Sequence, residues 1–300
     1  MGAPDATAAV YNGYTAAELQ AQYSARAAVP EHPEIFARWR QASDDYRAQA
    51  RDRAWLDLAY GPGERQRIDV FHPDGDTAAP LHVFFHGGYW QAMDRRDFSF
   101  IARALNARGI AVAVVGYTLC PATTVAGIVE EARGAVSWLQ ARRERLRLTT
   151  APLQLSGHSA GGHLAAMVAA NAARHADAGR EAIDTVGWIA PISGVFELEP
   201  LVHTALNEAL ALDVSTARIL SPSRPPSGAL PAIDAWVGGR ESREFHRQSS
   251  EFIAQWEGQT NGARLYSVPG CNHFTVLDHL FAEGSDLVER ARERAWRDAT

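Results

Sequence analysis

Leu153-Gln154-Leu155-Ser156-Gly157-His158-Ser159-Ala160-Gly161-Gly162-His163 joins a short apolar run to a helix-forming stretch through a serine flanked by glycines two residues away on each side. A serine on so tight a strand-to-helix turn sits in a strained backbone conformation, and the residues at those two positions must be small to avoid collision. Gly157 and Gly161 meet that demand. The stretch therefore reads as a nucleophile elbow. It lifts the Ser159 hydroxyl above a sheet, and the helix from Ala160 through Ala170 aims its free amides at charge developing on a substrate. The bare G-x-S-x-G pattern is weak, so its surroundings decide.

Outward from the elbow, Leu81 to Phe85, Ile110 to Val115, Pro152 to Leu155, Val186 to Ala190, Ala232 to Val237 and Arg264 to Val268 are nearly continuous apolar runs. Strands buried on both faces have that composition. Helical segments alternate with them: Asp97 to Arg108, Val125 to Arg145, Ala160 to His175, Glu244 to Glu257 and Leu277 to Trp296. This alternation predicts an α/β fold with a mostly parallel central sheet and helices on both faces. Trp55 to Tyr60 and Arg67 to Phe71, separated by Gly61-Pro62-Gly63, read as an antiparallel hairpin at the sheet edge.

The 300 residues, 46% hydrophobic, suffice for one large core. Residues 1–53 read as an N-terminal helical extension, two helices interrupted by Pro30 and Pro33, and residues 54–300 as one domain. Within it, about 196–226 loses strand character, with a helical stretch from Leu201 to Leu212 and then Ser221-Pro222-Ser223-Arg224-Pro225-Pro226; this segment is expected to cap the pocket mouth.

A net charge of -6 and the absence of any basic block argue against nucleic acid and anionic lipid as partners. Residues 1–30 hold no apolar signal core and no run of about 18 apolar residues occurs, so a cytoplasmic protein without membrane segments is expected. Cys120 and Cys271 lack metal-ligand spacing and are expected to be free thiols. A small-molecule substrate is the expected partner; a homodimer is compatible with the sequence but not required by it.

A serine hydroxyl needs a base to take its proton, and the base needs an acid to fix its tautomer. His273, in Pro269-Gly270-Cys271-Asn272-His273-Phe274 after the last predicted strand, is the best placed of the 11 histidines. For the acid, Glu241 is the first carboxylate beyond the preceding strand, with Glu244 as its competitor at the start of a helix and Asp234 in mid-strand. His86-Gly87-Gly88-Tyr89-Trp90 follows a strand, and its glycines let backbone approach a ligand. The amides of Gly88 and Tyr89, with that of Ala160, are candidate oxyanion donors. Trp90 and Tyr117, with Tyr89, are candidates for stacking on an aromatic substrate. His158 and His163 lack carboxylate or thiolate company and fall on different helix faces, so no metal is expected.

With these residues in hand, the chain resembles the α/β-hydrolase superfamily and, within it, the serine-hydrolase type of kynurenine formamidase (arylformamidase). The matches are His86 to Trp90, Gly157 to Gly161, and Glu241-Ser242-Arg243-Glu244-Phe245-His246-Arg247-Gln248-Ser249. The resemblance covers most of the chain after about residue 50. It implies a triad of Ser159, Glu241 and His273, oxyanion donors at Gly88 and Tyr89, no cofactor, and hydrolysis of N-formyl-L-kynurenine to L-kynurenine and formate. The family's acid is usually Asp, and this chain carries the longer Glu241 in that register. Two rivals remain: a carboxylesterase acting on small acyl or aryl esters with the same triad, and a non-catalytic binding protein on the same fold.

Overall fold

The computed structural model describes residues 7–177, 186–222, 230–260 and 262–297. The ribbon β1 (Ala9–Tyr11) and β2 (Tyr14–Thr15) leads into α1 (Ala16–Tyr23), α2 (Ala25–Ala28) and α3 (His32–Gln49). The remaining strands form one sheet: β3 (Ala54–Ala59), β4 (Arg67–Phe71), β5 (Leu81–Phe85), β6 (Ala111–Val115), β7 (Leu153–His158), β8 (Val186–Ile192), β9 (Ala232–Gly238) and β10 (Ala263–Val268). Its order is β10-β9-β8-β7-β5-β6-β4-β3, parallel from β10 to β6, with β4 and β3 added antiparallel at one edge. Each predicted buried run is a strand, and the edge hairpin is present.

The helices α4 (Ala102–Asn106), α5 (Val125–Gln140), α6 (Ala160–Asp177), α7 (Asn207–Leu210), α8 (Val214–Ile219), α9 (Arg243–Trp256), α10 (Thr275–Leu280) and α11 (Asp286–Arg297) complete the chain. Strand periodicity sorts the side chains between the two faces. In β6, Ala111, Ala113 and Val115 join the core beneath α5 and α6, whereas Val112 and Val114 join the core beneath α3, α4 and α11. Because both sides of the sheet are covered, β5 to β9 are buried on both faces, whereas β10, read from its composition as equally buried, is an edge strand that exposes Arg264 and Ser267.

Strand order places the site. The chain leaves β5 for β6 on one side, then crosses to β7 on the other, so the segments after β5 and β7 diverge from adjacent strand ends. That divergence opens a crevice at the carboxyl edge of the sheet. His86 to Trp90 leaves β5 there and Ser159 follows β7.

The predicted helices are more broken than their composition suggested. The stretch at Asp97 begins as a 3-10 turn, Arg95–Ile101, before α4. The final helix is split into α10 and α11, with the Ser285 hydroxyl accepting the Val288 amide and donating to the Leu280 carbonyl. The cap is a 3-10 turn, Glu199–His203, followed by α7 and α8, not one helix; positions 223–226 lie outside the described residues. The extension holds three helices. The expected interruption at Pro30 is present, between α2 and α3; Pro33 falls in the first turn of α3, where a missing N–H is tolerated, and a further break comes at Ser24, whose hydroxyl donates to the Gln20 carbonyl. Among the described residues no helix is long and apolar enough to cross a membrane.

α3 buries Ile35, Trp39, Ser43 and Tyr46, one face at helical spacing. Its Arg47 pairs at 2.6 Å with Asp69 of β4, which also meets Arg95 at 3.2 Å and accepts the Asp57 amide at 2.7 Å. Asp69 is fully buried, so removing its charge leaves the Arg47 guanidinium without its carboxylate and Arg95 with only Asp57 and Asp94. Asp69→Asn is expected to lower stability by about 3 kcal/mol. Urea unfolding reads this directly, and a loss near zero would show that the cluster contributes nothing to docking α3.

Candidate active site

Ser159 lies in the left-handed region, at φ 56°. The two flanking glycines are required by close approach. A Cβ on Gly161 would fall on the Phe85 and His86 carbonyl oxygens, and one on Gly157 on the Gly161 carbonyl. The Ser159 amide donates to the Ile192 carbonyl at 2.8 Å, tying the elbow to the end of β8. Strain at this residue is thus held by the strands on both sides.

The loop after β10 brings His273 to Glu241, with Nδ1 2.6 Å from Oε2. The Glu241 side chain is fully buried, and its Oε1 accepts the Gly238 amide at 2.6 Å and the Ser193 hydroxyl at 2.5 Å. Donors on both oxygens offset the cost of burying a carboxylate. The imidazole therefore carries its proton on Nδ1 and leaves Nε2 free to accept. Glu244 is engaged elsewhere: it pairs with Arg247 at 2.7 Å and accepts the Tyr23 hydroxyl at 2.9 Å. Asp234 accepts the Trp188 indole at 2.9 Å and also meets Arg294 at 3.3 Å.

Across the crevice, Gly88, Tyr89 and Trp90 all have positive φ. The amides of Gly88, Tyr89 and Ala160 donate to no other group among the described residues. The Tyr89 hydroxyl donates to the Tyr23 carbonyl at 2.7 Å.

Ser159, His273, His158, Gly88 and Tyr89 line one cavity of about 480 Å³. Trp90 and Tyr117 do not, correcting their expected contact with substrate. Both are fully buried; Trp90 packs edge-on against His163, and Tyr117 stacks on His86 at 4.2 Å while donating to its carbonyl at 2.7 Å. They brace the loop after β5 from behind. A second cavity of about 420 Å³, lined by Asp234, Arg290 and Arg294, lies near the amino ends of the last strands and contains none of Ser159, Glu241 and His273. Among the described residues no cluster of three or more His, Cys, Asp or Glu is placed to hold a metal.

Two features escaped the sequence reading. Ser193 sits directly after β8, where a polar residue beyond a strand end was the available signal. The other is the cavity's outer wall, which comes from the extension: Gln20, Tyr23, Ser24 and Arg26 all line it.

Residues 68–197 match the family profile described as BD-FAE. The chain is 30% identical to the kynurenine formamidase of Danio rerio over 249 residues, covering 81% of this chain and 82% of that protein. It is 30% identical to the kynurenine formamidase of Salmo salar over 243 residues, covering 78% and 79%. A crystal structure from Silicibacter sp. TM1040, provisionally called a thioesterase, superposes with a TM-score of 0.79 at 33% identity, covering 91% of this chain and 98% of that one. An esterase from Pyrobaculum calidifontis, at 19% identity and a TM-score of 0.68 over 89% and 93% of the two chains, shares the fold.

Four histidines around the elbow are held neutral by burial. His82, His86 and His163 are each pushed down to about 4, chiefly by desolvation. His158 is lowered well below its ordinary value by desolvation and then by the neighbouring His273. Their bonds suit the neutral form: His158 Nε2 donates to the His273 carbonyl at 2.7 Å, and His163 Nε2 to that of Leu220 at 2.7 Å. Unfolded histidines protonate from about pH 6.5 downward, while these remain neutral until about pH 4 or below, so unfolding takes up protons across that window. Stability should therefore fall as pH drops from about 6.5 toward 4. A urea midpoint unchanged between roughly pH 7.5 and pH 5 would contradict this.

Proposed function

Because the chain belongs to the kynurenine formamidase family of α/β-hydrolases, we propose that it hydrolyses N-formyl-L-kynurenine to L-kynurenine and formate through Ser159, His273 and Glu241. Membership makes the chain a hydrolase; the substrate and the residue roles are the proposal. The observation that carries it is the 2.6 Å bond between His273 and a fully buried Glu241, with His273 opening onto the same cavity as Ser159.

In this reading His273 Nε2 takes the Ser159 proton as Oγ attacks the formyl carbon. Negative charge moves to the formyl oxygen, where the amides of Gly88, Tyr89 and Ala160 receive it. Collapse breaks the C–N bond, and the imidazolium returns its proton to the departing aniline nitrogen. A formyl ester remains on Ser159. Water, deprotonated by His273, attacks that ester and releases formate. Glu241 stays ionised throughout, orienting His273 and stabilising its positive charge.

Close packing of the loop after β5 on the elbow supports a small acyl group. A Cβ at Gly87 would stand 2.9 Å from His158 Nδ1 and 3.3 Å from the Ser159 Cβ, so the loop after β5 runs hard against the elbow. Each carbon forced into such a site costs about 1–3 kcal/mol of barrier. The specificity constant for N-formylkynurenine should therefore exceed that for N-acetylkynurenine by about a hundredfold. Measured beside p-nitrophenyl acetate and butyrate, fast butyrate turnover with no hydrolysis of N-formylkynurenine would replace this reading with a carboxylesterase.

Roles within the triad are tested by substitution. Ser159→Ala should lower kcat by about four orders of magnitude or more with the fold intact, as checked by circular dichroism. Glu241→Gln should cost far more activity than Glu244→Gln, because only Glu241 contacts the imidazole. The reverse ranking would remove Glu241 from the triad.

A further inference from the structure

The cavity beside Ser159 carries a single formal charge in its wall apart from its two histidines, and that charge comes from the N-terminal extension. The residues lining it are otherwise neutral, with no Asp or Glu, and the exception is Arg26 of α2. Arg26 is exposed, and its guanidinium lies over the Phe36 ring with 5.7 Å to the centroid. No carboxylate among the described residues pairs with it. Arg47, Arg65, Arg95, Arg108, Arg218 and Arg247 all hold carboxylates, whereas Arg103 and Arg142, like Arg26, lie over an aromatic ring without a carboxylate pair among the described residues; of these three only Arg26 lines the cavity. A guanidinium resting on an aromatic face keeps its N–H edge free, the arrangement that receives a carboxylate through two parallel hydrogen bonds.

Phe36 extends the argument toward the reacting groups. It packs edge-on against Phe274 at 4.9 Å, and Phe274 contacts the His273 ring at 5.3 Å. Phe36 and Phe274 both line the cavity, so an apolar aromatic surface runs from the His273 ring to the cation. An aryl group seated there would leave a side-chain carboxylate facing Arg26.

The segment bearing Arg26 is fixed to the groups around Ser159. The Ala205 amide donates to Gln20 Oε1 at 2.7 Å, the Ser242 hydroxyl to the Gln22 carbonyl at 2.7 Å, and the Tyr89 hydroxyl to the Tyr23 carbonyl at 2.7 Å. Cap, acid loop and oxyanion loop thus all hold α1 and the turn into α2. A cation carried on a docked segment can select among substrates instead of merely attracting anions from solution.

We infer that Arg26 is the carboxylate-binding residue of the site, selecting aryl substrates whose leaving-group portion carries a side-chain carboxylate. This rests on the formamidase reading for the identity of the substrate and deepens it; the binding claim is tested without turnover. In the Ser159→Ala background, calorimetry would compare N-formyl-L-kynurenine with its carboxamide, which keeps the α-ammonium and lacks the carboxylate. Adding Arg26→Ala should weaken binding of the acid about tenfold or more and leave that of the carboxamide no weaker, and Arg26→Lys should recover part of the loss. Equal weakening of both ligands would assign Arg26 a structural role and overturn the inference, as would unchanged binding of the acid or failure of the acid to bind the parent at all. Failure of the formamidase reading has a separate signature: wild-type enzyme that binds the acid in an Arg26-dependent manner yet releases no formate from it.

Discussion

A carboxylate buried without water is tolerable only when its oxygens are occupied, and Glu241 satisfies that condition with groups from three different strand ends. Gly238 belongs to β9, Ser193 follows β8, and His273 follows β10. An ionised carboxyl stripped of those donors would cost several kcal/mol. The requirement runs in both directions. It holds the three loops in one mutual position, and those loops then present the imidazole to the elbow. Ser193 itself has φ 50° and donates its amide to the Trp236 carbonyl, so even the hydroxyl's aim is set by the sheet. The extra methylene of Glu relative to Asp is thereby absorbed: the side chain spans from the loop after β9 to both neighbouring strand ends.

The Ser159 turn depends on the same sheet through a different constraint, close packing. Gly161 presses on the Phe85 and His86 carbonyls, bringing the first turn of α6 against the end of β5. The segments after β5 and β7 therefore sit side by side, one offering amides and the other the hydroxyl. Both rest on buried supports, since His86 lies between Tyr117 and Phe98, and His158 holds the His273 carbonyl. Positioning here comes from packing density and neutral hydrogen bonds.

How much of this was legible in the sequence follows from the kind of interaction involved. Strands buried on both faces announce themselves as apolar runs, and all six such runs fold as strands in the parallel part of the sheet. The pairing of His273 with Glu241 was anticipated from position, because each is the first suitable group beyond a strand end. Helix breaks were missed, since Ser285 and Ser24 act through single hydroxyl bonds that leave no periodic trace. Trp90 and Tyr117 were misread because an aromatic residue beside a catalytic loop has the same sequence signature whether it faces substrate or braces the loop from behind. The outer wall was invisible: contacts between α1 and α9 join residues more than 200 positions apart, and no local pattern reports them.

One of those distant contacts explains the second carboxylate of the 241–249 stretch. Glu244 and Gln248 stand four residues apart on α9, on one helix face. Glu244 accepts the Tyr23 hydroxyl at 2.9 Å, and Gln248 Nε2 donates to the same oxygen at 2.6 Å. That hydroxyl is buried with all its hydrogen-bonding capacity used, a strong anchor for the end of α1. Gln248 Oε1 also accepts the Phe196 and Glu197 amides, tying the start of the cap to the same point. Two carboxylates three residues apart thus have separate tasks. Glu241 points back across the strand ends toward His273, whereas Glu244 points outward and fastens the extension over the cavity. The 241–249 stretch therefore holds His273 through one carboxylate and, through the other, anchors the extension that walls the cavity.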